Sequence, residues 1–461
     1  MTSLIDQVPD DVRFIVQRLR ERGKRAWIVG GCVRDLLRGS PPKDWDVATD
    51  AKPEEVKAAF PRVIDTGIAH GTVSVLVKKV PYEVTTLRGE GAYSDGRRPD
   101  SVAFVDDIAA DLARRDFTFN AIALDPLDGH VIDPFGGQRD LTDGVLRAVG
   151  DARERFGEDG LRVLRAARFS ATLGVVIHED TFRAMSEPRS LDTFKKVSLE
   201  RVRDEWVKTM HAAKPSIAFD AMLKTGILAI TCPEMVESVG CEQNRHHAFD
   251  VWGHAMACLD ACEPDVVLRF SALLHDVGKP RSRAFSDKTN DYTFYHHESI
   301  GADMADPILT RLRFSNEERA TIVSLVRHHL ICYSPEWTDA AVRRWLRRVG
   351  ADLTTRLYLL GRADARGKGR PADDDISSID ELERRATQLL QEGAALSTKD
   401  LALKGGDLIG ALGMKPGPNI GRVLEKLLEL VTDDPMKNDK QLLLEEATRI
   451  LEELAAEGKL S

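Results

Sequence analysis

The chain has 461 residues, 43% hydrophobic and 30% charged. It is too long for one ordinary core and is composed like a set of two to four globular domains. Its 74 acidic residues outnumber 65 basic ones, giving a net charge of −9, which excludes a uniformly basic nucleic-acid coat but leaves room for a local basic groove. The six cysteines are scattered without a CxxC pair, and the polar N-terminal stretch has no apolar signal-peptide core. With no run of about 18 apolar residues either, the expectation is a cytoplasmic protein with reduced thiols and no membrane partner. No feature of the sequence sets an oligomeric state.

Residues 1–150 mix short β-branched runs with helical stretches. AWIVGG (26–31), TVSVLV (72–77), EVTTL (83–87) and SVAFV (101–105) read as strands, with SDGRRPD (94–100) and DPFGG (133–137) as turns between them. This predicts an α+β head built on a small mixed sheet. From about residue 151 the apolar residues fall at three- and four-residue spacing, which predicts helices to the end of the chain. Four parts follow: a head over 1–150, a helical neck over 151–240, a His/Asp-rich helical domain over 241–370 and a helical tail over 371–461.

The head opens on a strand, a two-glycine turn and a helix: AWIVGG, then CVRDLLRG. Gly30 and Gly31 carry no side chain, so a phosphate can approach the backbone there. Downstream lies KDWDVATD. Residues two apart on a strand share a face, so Asp44 and Asp46 point together, and two carboxylates that close repel unless a cation lies between them. Mg²⁺ shared with triphosphate oxygens answers this. Glu83, in PYEVTTL on another predicted strand, is placed to complete a two-metal set that activates a 3′-hydroxyl and stabilises leaving pyrophosphate.

The run VGGCVRDLLRG–x₄–DWD resembles the signature of the polymerase-β-type nucleotidyltransferases that include CCA-adding enzymes and bacterial poly(A) polymerases. RRDFTFNAIA (114–123), DPFGG and EDGLRVLRAARF (158–169) follow in that family's order and extend the likeness over the first half of the chain. The resemblance implies that Gly31 and Arg34 hold the triphosphate, that Asp44, Asp46 and Glu83 carry the catalytic metals, and that Arg115 contacts the nucleotide. Asp116 and Asn120 are expected to brace their own segment, as Asp and Asn do in turns. RGEGAYSDGRRPD (88–100) corresponds to a flexible loop near the family's site.

In the neck, Asp159, Arg162, Arg165 and Arg168 recur at three-residue spacing near one predicted helix face. That spacing equally suits a helix laced with ion pairs, but the family's equivalents read the incoming base. A carboxylate only accepts hydrogen bonds and an Arg only donates them. Cytosine and adenine each present an amino donor beside a ring acceptor, whereas guanine and uracil present the reverse. CTP and ATP are therefore expected to enter and GTP and UTP to be refused, at the ~10⁴-fold level of a missing polar partner.

From 246 to 370, HHAFDVWGHAMACL, RFSALLHDVGKP, FYHHES, LVRHHL and LLGRADARGKG follow in order. They resemble the HD superfamily of metal-dependent phosphohydrolases. The resemblance implies His254, His275, Asp276 and Asp364 as ligands, with His297 and His328 completing a second metal position. Imidazole with carboxylate suits Mg²⁺, Mn²⁺, Ni²⁺ or Fe²⁺ better than structural zinc. His254, Cys258 and Cys262 share a helix face, but without a fourth ligand the thiols read as buried core. The tail segment GMKPGPNIGRVLEKLLEL (413–430) reads as a turn entering an amphipathic helix, serving either RNA phosphate or packing, and AVRRWLRRV (341–349) as a source of positive potential.

The reading is an enzyme that adds C, C and A to the tRNA 3′ end from CTP and ATP. A poly(A) polymerase, or an enzyme restricted to CC or to A, stays open, as does an HD phosphohydrolase or RNA-binding module with an inactive head.

Overall fold

The computed structural model describes residues 4–68, 71–89 and 103–456. The segment 90–102, holding most of the glycine-rich loop and the start of SVAFV, lies outside the described residues. The chain forms two compact units, 1–236 with 311–313, and 237–310 with 314–461.

The first unit is built on a seven-stranded sheet: β1 (Ala26–Val29), β2 (Asp46–Thr49), β3 (Val63–Gly67), β4 (Thr72–Val77), β5 (Val80–Thr86), β6 (Ala123–Leu124) and β7 (Val131–Ile132). Their spatial order is β3-β4-β5-β2-β1-β6-β7. β2 and β5 run parallel while the other neighbours are antiparallel, so the expected mixed sheet is present. Side chains alternate between its two faces. Ala26, Ile28, Val47, Val73, Val75 and Val84 pack into one core beneath the helix Asp10–Glu21. Trp27, Val29 and Ala48 face a second, smaller core, and Asp46 and Glu83 share that second face. SVAFV is not a strand among the described residues: only an isolated bridge joins Phe104 to Arg88.

Beyond 151 the unit is helical. The helix Leu161–Leu173 buries nine of its side chains and stops at Gly174, whose φ of 66° is the left-handed conformation that glycine supplies cheaply. It packs against Leu199–Thr209 and Ser216–Lys224.

In the second unit the helices Val251–Ala261, Val266–Leu274, Asn316–His328 and Ala351–Gly367 share a core with Asp339–Val349 and Asp373–Gln391. A short hairpin, Ala284–Ser286 with Asp291–Thr293, breaks the helical pattern. Cys258 and Cys262 are buried in this core, as expected of thiols that serve packing. The tail helices Gly405–Leu412, Pro418–Asp433 and Lys440–Ala456 enclose a core of their own.

The helix AVRRWLRRV corrects one expectation. Arg343 is buried and donates to the Thr432 and Asp433 carbonyls at the end of the helix Pro418–Asp433, Arg344 pairs with Asp433, and Arg347 pairs with Glu425. These charges satisfy a helix C-terminus and fasten the tail. They are spent on docking instead of on a free positive surface.

Candidate active site

A cleft of about 1010 Å³ in the first unit gathers the head and neck motifs; its lining includes Gly30, Gly31, Arg34, Asp44, Asp46, Glu83, Arg115, Asp159, Arg162, Arg165 and Arg168. The structure therefore brings together every residue expected for nucleotide chemistry.

The carboxylates are set by strand register. Asp46 opens β2 and lies opposite Glu83 across the parallel ladder with β5. Asp44 is two residues earlier, in a bend and not on the strand as expected. The pairing of β1 with β2 does not extend that far because β1 ends in the turn at Gly30. Burial, and then the neighbouring Glu83 carboxylate, raise the Asp46 pKa above the usual carboxylate value. This acidic corner is built to favour a cation.

Sequence reasoning put the phosphate-side weight on Gly31, but Gly30 is the position with no alternative. Its φ is +80°, and a Cβ there would lie 2.8 Å from Arg115 Nη1. Arg34, one turn into the helix Gly31–Leu37, is held by Asp35 and donates from Nη1 to Asn120 Oδ1 at 2.9 Å. Asn120 in turn donates to Asp116 Oδ1 at 2.9 Å, which also accepts from the Phe117 N–H at 2.8 Å. The bracing expected of Asp116 and Asn120 is present. Arg115 is anchored on Asp111 at 3.2 Å, and its buried Nε has no hydrogen-bond partner.

In the neck, Asp159 stands ahead of the helix Leu161–Leu173, not on it. Its Oδ1 accepts from the Leu161 N–H at 3.0 Å, and its Oδ2 faces Arg201 Nη2 at 3.4 Å. Arg162 is buried and donates to the carbonyls of Arg155 and Arg114 and to Glu158. Arg165 grips Asp116 through Nε and Nη2 at 2.8 and 2.7 Å. Arg168 grips Glu205 at 2.5 Å. Against burial, the Arg165 charge holds Asp116 down to about 2. Arg201 and Glu205 were missed by sequence reasoning. Their i, i+4 spacing in SLERVRDEW was the available signal, but it is common to any surface helix.

The second unit holds a separate cluster. His254 Nε2 lies 3.3 Å from Asp276 and 2.9 Å from Asp364, and His275 Nε2 lies 3.1 Å from Asp276. On the other Asp276 oxygen, His297 Nε2 lies at 3.4 Å and His329 Nε2 at 3.7 Å. Two sets, His254/His275/Asp276 and Asp276/His297/His329, each converge within 4.8 Å; among the described residues the head carboxylates form no set that tight. His329 therefore replaces the expected His328. One residue further along a helix rotates the side chain by about 100°, which separates an inward from an outward histidine. The Nδ1 atoms of His275, His297 and His329 each face the carbonyl three residues earlier at 2.6–2.7 Å, leaving Nε2 turned inward. Both Asp276 oxygens and His297 Nε2 are buried without a well-formed hydrogen bond. Although burial opposes the charge, Asp276 and Asp364 push His275 up to about 10. The donor set fits a divalent metal.

A sheet carrying paired carboxylates beside a glycine turn, joined to a helical wall of arginines in one cleft, defines a nucleotidyltransferase. The family described as "Poly A polymerase head domain" matches residues 26–147, and tRNA nucleotidyltransferase domain 2 matches residues 292–447. The CCA-adding enzyme of Ligilactobacillus salivarius is 31% identical across 98% of this chain and 99% of its own length, and that of Limosilactobacillus fermentum is 34% identical across 96% and 97%. The crystal structure of Bacillus stearothermophilus CCA-adding enzyme in complex with CTP is similar at 28% identity and a TM-score of 0.73, covering 98% of this chain and 100% of that one. This chain belongs to the CCA-adding enzyme family. It is a tRNA nucleotidyltransferase, of a class that works with a divalent metal ion, and among its described residues no helix is long and apolar enough to cross a membrane.

Proposed function

We propose that the chain adds C, C and A in turn to the tRNA 3′ end in the cytoplasm, drawing on CTP and ATP and releasing pyrophosphate. The observation that carries this reading is one cleft lined both by the Asp46–Glu83 pair and by Asp159 with Arg162. Chemistry and base choice thus share a wall of protein, and no nucleic-acid template is needed.

Asp44, Asp46 and Glu83 would hold Mg²⁺, which supplies charge neutralisation for the triphosphate and a more acidic attacking hydroxyl. Arg34 and Arg115 orient phosphate oxygens, since a guanidinium fork matches them, and Gly30 and Gly31 let the nucleotide approach the backbone. Asp159 accepts from the amino group of cytosine or adenine while Arg162 donates to the ring acceptor. Arg165 and Arg168, each committed to a carboxylate, hold this wall in place. The functional parts are a head (1–150), a neck (151–240), a His/Asp domain (241–370) and a tail (371–461). The test is addition to a tRNA transcript lacking its last three nucleotides: C, C and A followed by termination supports the reading, and a long A tail overturns it.

The two converging His/Asp sets support a second activity, metal-dependent phosphohydrolysis at RNA ends that carry terminal or cyclic phosphates. Its ligands are His254, His275, Asp276 and Asp364, with His297 and His329 at the second position. Mn²⁺-dependent hydrolysis of such ends, opening a cyclic phosphate to a monoester or releasing inorganic phosphate from a terminal one, and abolished by D276A, is the expected result.

A further inference from the structure

Three of the arginines that line the cleft meet at one ring. The guanidinium of Arg168 lies 3.8 Å from the Phe169 ring centroid, and those of Arg34 and Arg165 each lie 5.3 Å away. Phe169 is 5% exposed, yet it lines the cleft. Three like charges this close repel one another, and the negative face of an aromatic ring is one of the few uncharged groups that attracts a desolvated cation.

The ring plane is itself fixed. Phe117 and Phe119 stand edge-on to Phe169, with centroids 5.8 and 5.7 Å away and interplanar angles of 85° and 82°. Those two phenylalanines belong to the segment that carries Asn120, and Asn120 accepts from Arg34. Arg34 is therefore joined to the neck helix twice. One route runs through Asn120 and Asp116 to Arg165. The other runs through the ring of Phe169, on the same helix as Arg162.

We infer that Phe169 is a positioning residue that couples base reading to triphosphate alignment. A base that satisfies Asp159 and Arg162 seats against the helix that carries Phe169, and Phe169 fixes where the guanidinium of Arg34 meets the phosphates. A base that leaves Asp159 and Arg162 unsatisfied fails to seat, and the phosphates then lie out of line with Arg34. This rests on the proposed nucleotide addition and goes beyond it by naming the link between the two halves of the site.

The experiment measures kcat/KM for each of the four nucleoside triphosphates with Mg²⁺ and a tRNA transcript lacking its last three nucleotides, using wild type, F169L and F169Y. F169L keeps the apolar bulk and loses the π face, whereas F169Y keeps both. F169L is expected to lose about tenfold for CTP and ATP while UTP and GTP change less than about twofold, so selectivity falls about tenfold. F169Y is expected to keep the wild-type selectivity ratio. F169M replaces F169L if the latter does not fold. An equal loss for all four triphosphates in F169L, or a loss of selectivity in F169Y, overturns the inference while leaving nucleotide addition standing. A wild-type enzyme that incorporates nothing overturns both.

Discussion

Asp46 and Glu83 face one another across the parallel pair β2–β5, in direct register, with burial and mutual repulsion raising the pKa of Asp46. A fold does not keep a half-buried carboxylate in register with a second, exposed one for stability. The pair predicts opposite effects on activity and on folding.

D46N is expected to lower nucleotide addition by at least about 10³-fold, the scale of losing a main electrostatic contact to the reacting phosphate. E83Q is expected to lower it less than D46N does, because Asp44 and Asp46 would still hold the metal. In EDTA, D46N should melt at or above the wild-type temperature, because it removes a repelling charge. Single-turnover incorporation and calorimetric melting check the two halves of this prediction. A D46N protein that is both active and less stable would show that Asp46 is a structural carboxylate.

Asp159 accepts from Leu161 and faces Arg201, whose Nη1 is buried without a hydrogen-bond partner. D159A is expected to admit UTP and GTP, cutting discrimination by about 10²-fold or more, because an unmet buried partner no longer penalises the wrong base. R201K, which shortens the reach to Asp159, should relax selectivity more weakly and in the same direction. Competition assays with paired triphosphates read both variants, and unchanged C/A selectivity in D159A would remove Asp159 from base reading.

Much of this site was legible from residue order alone. The glycine turn and EDGLR each sit where a local rule applies, absence of a Cβ and donor–acceptor logic, while the DWD acids line one cleft although Asp44 lies in a bend and not on the strand that alternation predicts. Register was not legible, because nothing near Glu83 in the sequence says that it pairs with Asp46. Nor was the difference between Gly30 and Gly31, which lies in the φ of +80° that Gly30 adopts and Gly31 does not. The arginines of AVRRWLRRV read as surface charge because their partners, Thr432, Asp433 and Glu425, lie about 80–90 residues downstream.

Adjacent histidines posed the same problem at shorter range, and they give a direct test. H329A is expected to bind one Mn²⁺ ion fewer than wild type, while H328A binds like wild type, because only His329 shares the Asp276 oxygen with His297. Metal content by mass spectrometry after Mn²⁺ loading distinguishes them. D44A should leave this binding intact.

Asp116 links stability to pH. Its folded pKa is depressed to about 2 from an ordinary 3.8, with burial opposed by Arg165 and Asn120. A depressed carboxylate adds stability that is fully present above the unfolded pKa and is lost as pH falls through the folded one. Wild type should therefore exceed D116N by about 2 kcal/mol more at pH 6 than at pH 2, on the order of the shift times 1.36 kcal/mol per unit. Urea unfolding at both pH values measures the difference, and a gap independent of pH would place the Asp116 contribution in packing alone.

The most direct test of the whole account is single-nucleotide sequencing of the product formed by the purified chain with Mg²⁺, all four triphosphates and a tRNA transcript ending at its discriminator base. The account predicts three added residues, C, C and A, and then termination, with D46N adding none. Addition that ignores base identity, or that D46N retains, would contradict it.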